Sequence, residues 1–160
     1  MPPGTLEIVA DPDRPIITTR RTVHAPRALV FEAFTRPEHL RRWMGPRGLD
    51  MVVCESELRP GGRYRFVYRA PDGQELAFSG EYREVVPPSL IVRTFVFEFM
   101  PAVSALERLE LEEHDGTTTI KTITVHQTMA NRDGHLEHGM EQGMTEGYER
   151  LDALLVELGG

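Results

Sequence analysis

Cysteine is nearly missing: Cys54 is the single thiol in 160 residues. A disulfide framework within the chain is therefore excluded, and this usage suits a reducing compartment, so a cytoplasmic location is expected. Positive charge is also short, with 18 Lys and Arg against 25 Asp and Glu and a formal net charge of -7. A nucleic-acid binder would present a basic face, so nucleic acid is not an expected partner. No apolar run reaches the length of a membrane span. The opening stretch MPPGTLEIVADPDRP lacks the basic and apolar regions of a signal peptide. A HExxH pair, a Ser-His-Asp order and a phosphate-cradling glycine loop are all missing. Neither a metal nor a cofactor is expected.

What remains is an ordinary globular balance, 40% hydrophobic and 27% charged, on a length that suits one domain. Residues 1–15 read as a turn-rich N-terminal extension, with LEIVA a short strand within it. The domain proper is expected over 16–158. IITTRRTV (16–23) is rich in β-branched residues and reads as a strand. Leu29, Val30 and Phe34 then recur at helical spacing behind Pro26. Pro37 breaks that pattern and opens a second short helix, 37–43, which Gly45 and Pro46 end. From 49 to 127 strands follow one another across short turns. PDG (71–73) and DG (115–116) read as hairpin turns, so the run is an antiparallel meander of about six or seven strands.

The last segment, about 131–158, is expected to be one long helix. On a wheel of about 100° per residue, Met140, Met144, Leu151, Leu154, Leu155 and Leu158 share an arc. Glu146, Glu149, Arg150 and Asp152 fall opposite. Gly139, Gly143 and Gly147 lie at the edge of the apolar arc, although each interior glycine costs a helix about 1 kcal/mol relative to alanine. Either the glycines let the helix approach the sheet closely, or they leave room for a ligand. Gly143 is expected to keep a cavity open and Gly147 to make a contact. Met140 and Met144 are soft gap-fillers that suit an adaptable apolar surface.

Strand, two short helices, antiparallel meander and long C-terminal helix together resemble the helix-grip arrangement of START-like and birch-pollen-allergen-like proteins. More specifically the chain resembles the bacterial relatives of the activator of the heat-shock-protein-90 ATPase. The resemblance rests on VHAPRALVFEAFTRPEHLRRWMGP (23–46), RPGGRYRF (59–66), SGEYREVVPPSLIVRTFVF (79–97) and GMEQGMTEGYERLDALL (139–155). It implies an α+β helix-grip fold, a curved sheet wrapped around the C-terminal helix with a groove between them.

Within that frame the expected function is binding of a small hydrophobic or amphipathic molecule, in transport, sensing or stress response. Trp43, Phe66, Tyr68, Phe78, Tyr82, Met140, Met144 and Tyr148 would frame the pocket, with Gly143 opening it. Arg93 interrupts an apolar strand and Arg65 sits among aromatics; either could anchor a ligand carboxylate, though a single arginine more often covers the outer face of a sheet. His126 shares the parity of Ile120, Thr122 and Thr124 and could line the cavity. His135 and His138 read as a solvated helix start rather than a metal face. Cys54 reads as a small core residue, and the acidic stretch LELEEHDG (109–116) as a solvated strand end. Two alternatives stand beside ligand binding. One is a protein-partner regulator of a chaperone or ATPase, against which speaks the additional N-terminal domain of the eukaryotic namesakes. The other is a cyclase- or hydrolase-type enzyme using His126, Arg93 or Tyr82, for which no catalytic set stands out. A homodimer is left open.

Overall fold

Alternation of side chains along each strand, punctuated by turn residues, decides the architecture. The computed structural model describes residues 4–45, 47–101 and 103–159. Its strands are β1 (Glu7–Ala10), β2 (Ile16–Val23), β3 (Asp50–Ser56), β4 (Arg63–Arg69), β5 (Glu75–Val86), β6 (Leu90–Phe97), β7 (Ser104–His114) and β8 (Thr117–His126). Its helices are α1 (Arg27–Thr35), α2 (Pro37–Trp43), α3 (Met129–Glu137) and α4 (Met140–Gly159). One antiparallel sheet holds all eight strands in the order β1-β2-β8-β7-β6-β5-β4-β3. The meander runs from β3 to β8, and β2 returns beside β8. Six strands, β3 to β8, fill the stretch where six or seven were expected, and β2 with β1, the short strand read in LEIVA, extends the sheet to eight.

Both hairpin signals hold for a conformational reason. Asp115 and Gly116 have φ of 51° and 76°, and Gly73 has φ of 89°, left-handed values that tight hairpin turns require. Register shifts between Met51 and Val53, and between Tyr82 and Glu84, bend the sheet. The helices cover its inner face, and Val30, Leu40, Ile120 and Leu151 are sealed between the layers.

Helix α4 packs mainly on α2 and α1. Arg150 holds it there: Nη2 donates to Arg42 O at 2.8 Å and Nη1 to Gly45 O at 3.4 Å. These bonds satisfy carbonyls that the end of α2 leaves open. Glu146 Oε1 accepts from the Arg47 amide at 2.8 Å, which fixes the loop that follows α2.

The C-terminal helix is not continuous, as 131–158 was expected to be. Gly139 has φ of 83° and the His138 amide bonds back to Gly134 O at 3.1 Å, so the chain stops α3 and restarts as α4. Such a left-handed glycine after a helix end is the ordinary way to close one. The first of the three spaced glycines is thus a stop. At its own start α3 is capped by Thr128, whose Oγ1 accepts from the Asn131 amide at 3.0 Å. Buried Arg132 then donates to the backbone carbonyls of Asp11 and Arg14, tying the N-terminal turn to α3. No helix among the described residues is long and apolar enough to cross a membrane.

Candidate functional site

Strand parity assembles the site. On β4, Tyr64, Phe66 and Tyr68 face inward while Arg63, Arg65 and Arg69 are exposed. Across the β4–β5 and β5–β6 pairings, Phe66 lies opposite Phe78, Phe78 opposite Phe97, and Tyr82 opposite Arg93. The inner face therefore carries Ile91, Arg93, Phe95 and Phe97 of β6. Arg93 does not cover the outer face. Its guanidinium lies 4.6 Å from the centre of the Tyr64 ring and 5.8 Å from that of Phe66. Arg65 does lie outside, paired with Glu98 at 3.0 Å.

The partner of Arg93 is Glu107, its direct neighbour on β7. Arg93 Nε donates to Glu107 Oε1 at 3.0 Å, and Nη2 lies 2.9 Å from the same oxygen. Burial works against the Arg93 charge, but the Glu107 carboxylate, with Tyr64 and Tyr82 beside it, more than restores it and raises its pKa. Burial also holds the Tyr64, Tyr68 and Tyr148 phenols well above their usual range, so they stay neutral. The Glu107 charge also helps to hold the Tyr148 phenol of α4 up, and it pulls the pKa of His135 on α3 upward. Sequence reasoning missed it by taking the acidic run that follows as solvated. The signal was present: Glu107 shares parity with Ala105, Leu109 and Leu111, all buried.

His126 is buried on the same face, and its Nε2 lies 3.1 Å from His135 Nδ1. Burial, then His135 and Arg132, lowers the His126 pKa to about 4. Burial lowers that of His135 too, against the pull of Glu107. Both rings are thus neutral near pH 7. His135 is not part of a solvated helix start, as expected, but the contact through which α3 meets β8; His138 is exposed.

The inner space is filled at one end and half-covered at the other. Trp43 lies in the filled end, where its Nε1 donates to Ala33 O at 2.8 Å and its ring stacks on Tyr148 at 6.1 Å. Cys54 is buried there too, and burial raises its thiol pKa. Tyr82 is buried and its hydroxyl meets Ser56 at 2.7 Å. At the other end, Phe78 stacks on Phe95 and Phe97, each at 5.2 Å, and all three rings are only partly buried. Phe97 leads on to Phe99 at 6.1 Å, which is 77% exposed at the β6–β7 turn. Phe95 neighbours Ala105, Ala105 neighbours His126, and His126 meets α3. Helix α3 thus meets the sheet at β8, and Met140, Gly143 and Met144 at the start of α4, which follows it, are half-buried.

The glycines of α4 separate at this point. A side-chain carbon at Gly143 would meet nothing within 4 Å. One at Gly147 would lie 3.5 Å from the backbone oxygens of Trp43 and Gly45. Gly147 is a contact residue, but its contact is the end of α2 rather than the sheet. A separate cleft of about 680 Å³ is edged by Glu55, Arg63, Arg65, Glu81 and Glu98, a charged setting unsuited to an apolar ligand.

Solved structures share this architecture. A Rhodobacter sphaeroides protein is 25% identical, with a TM-score of 0.89 over 96% of this chain and 99% of its own. A Nitrosomonas europaea protein is 27% identical, with a TM-score of 0.83 over 94% of this chain and 99% of its own. A Chromobacterium violaceum protein is 26% identical, with a TM-score of 0.73 over 88% and 96%. No curated protein matches the chain. The curved antiparallel sheet and long C-terminal helix make this a START-like helix-grip fold. With residues 24–156 matched, the chain belongs to the Activator of Hsp90 ATPase homolog 1-like protein family.

Proposed function

We propose that the chain binds a small hydrophobic or amphipathic molecule between the inner face of the sheet and the start of α4. One observation carries the reading: the Phe78, Phe95 and Phe97 rings are only partly buried on the inner face, on the strand pair that also carries Arg93, while a side-chain carbon at Gly143 of α4 would meet nothing within 4 Å. Apolar ligand surface is buried against the rings and Met140 and Met144, and the Arg93–Glu107 pair fixes orientation. Burial is worth about 0.8 kcal/mol per CH₂. Micromolar affinity, about 8 kcal/mol, therefore asks for a ligand of fatty-acid or multi-ring size once the cost of association is met.

Titration with N-phenyl-1-naphthylamine, a neutral fluorophore, is the test. Saturable binding is expected, with quenching or energy transfer from Trp43, and loss of binding in Gly143→Phe, whose ring fills the open space. No saturable binding across a broad hydrophobic panel overturns the reading. A chaperone captured stoichiometrically from lysate, unaffected by the fluorophore, favours instead the protein-partner role that the family's name suggests.

A further inference from the structure

We infer that the contact between His126 and His135 is a proton-operated latch: an added proton parts the two rings and frees the second half of α3 from β8 while the rest of the fold stands.

Little else holds that half of the helix. The buried residue of α3 is Arg132, and its guanidinium donates to the carbonyls of Asp11 and Arg14. An arginine keeps its charge at any ordinary pH, so this tie is permanent, and it pins the first turn. Further along, His135 Nδ1 meets His126 Nε2 at 3.1 Å, and Leu136 is only half-buried. Gly139 follows with φ of 83°, exposed, and a side-chain carbon there would meet nothing within 4 Å. A helix end fastened in this way and followed by a hinge glycine turns outward without dragging α4 along.

The tautomers make the contact sensitive to protons. A neutral imidazole has one N–H and one bare nitrogen, so one ring donates and the other accepts. His126 Nδ1 is sealed in without a partner. A proton on it would be an orphaned buried donor, which folds avoid. The His126 proton therefore sits on Nε2 and is donated to His135 Nδ1. Both bare nitrogens of the pair are then taken, one by the hydrogen bond and one by burial. A further proton on His135 Nδ1 sets two N–H groups against each other. One on His126 Nδ1 strands a charged donor inside.

The surrounding charges do not relieve either outcome. From α3, Arg132 opposes a charge on His126, and Asp133 is occupied with Arg132. From β7, Glu107 draws His135 toward protonation, but Arg93 already engages its carboxylate. Asp11 and Arg14 of the N-terminal turn pair with each other, and Glu141 of α4 is exposed. Swinging α3 outward gives the charged ring water.

Nuclear magnetic resonance of 15N-labelled protein tests the latch. At neutral pH the His126 ring is expected to show the Nε2–H tautomer. As pH falls from 6.5 toward about 4, amide signals of residues 133–138 are expected to move or broaden together. The Trp43 indole and the amides of β3 to β5 should keep their places. In His135→Asn the side-chain oxygen stands where Nδ1 stood, accepts the same bond and takes no proton. There the α3 movement is expected to shift down by at least about one pH unit. An Nδ1–H tautomer at His126, α3 signals that change only together with the whole fold, or an unshifted transition in His135→Asn overturns the latch. Should His135→Asn not fold, the tautomer and the order of the two transitions in the unaltered protein decide.

Discussion

Gly143 and Gly147 stand one turn apart on α4, with different space beside them. Because nothing lies within 4 Å of a side-chain carbon at Gly143, alanine there adds helix propensity without a clash. Gly143→Ala is expected to stabilise the protein by up to about 1 kcal/mol, raising Tm by a few degrees. At Gly147 a methyl makes ordinary contact at 3.5 Å with backbone that cannot rotate away. Gly147→Ala should therefore be tolerated, whereas Gly147→Leu lifts α4 from α2 and costs about 1–3 kcal/mol. Thermal melts of the three variants check the order, and a Gly143→Ala protein that melts lower contradicts the open space. One residue spacing thus serves three purposes, a stop at 139, a void at 143 and a contact at 147. Nothing in the spacing alone separates them, because the difference lies in φ and in what stands opposite.

Helix α3 shows what periodicity conveys and what it does not. The amphipathic pattern and the long run of helix-forming residues were legible, as were the proline and glycine boundaries of α1 and α2. The break at Gly139 was not, since a glycine that caps one helix and a glycine inside a longer one look alike in sequence. The His126–His135 contact was hidden for another reason: it joins two elements whose relative placement depends on that break. Its consequence is a pH dependence. In the unfolded chain His126 protonates near pH 6.5, whereas in the fold it resists until about 4. Between those values the unfolded state binds more protons, so the stability from the neutral ring is complete above 6.5 and drains away as pH falls toward 4. The expected loss is on the order of 2 kcal/mol. His126→Phe should flatten denaturant midpoints across this window relative to the unaltered protein. An unchanged slope would remove His126 as the cause.

Across the whole molecule, strand order, topology and the inward aromatic row follow from alternation and turn residues, which act locally. The charged part of the interior does not, because Arg93, Glu107 and Arg21 are acceptable inside only by virtue of partners on other elements. Arg21 is 4% exposed on the inner face of β2. Its Nη1 and Nη2 donate to the two oxygens of Asp152 on α4 at 2.8 and 2.6 Å. The wheel set Asp152 on the solvent side; in the fold it reaches over the edge of the apolar arc to the far end of the sheet. This forked pair clamps α4 to β2, while Arg150 and Gly147 hold the same helix to α2. Removing one partner strands a buried guanidinium, so Asp152→Asn is expected to cost about 3 kcal/mol. Replacing both, as Arg21→Met with Asp152→Leu, should cost distinctly less, since no charge is left unpaired. Equilibrium denaturation of the single and double variants tests the clamp through their coupling energy. If it holds, Asp152→Asn also loosens α4 as a whole, and fluorophore affinity falls together with stability. Additive single effects, or a double variant worse than Asp152→Asn, would show that α4 is positioned by its contacts with α1 and α2 alone.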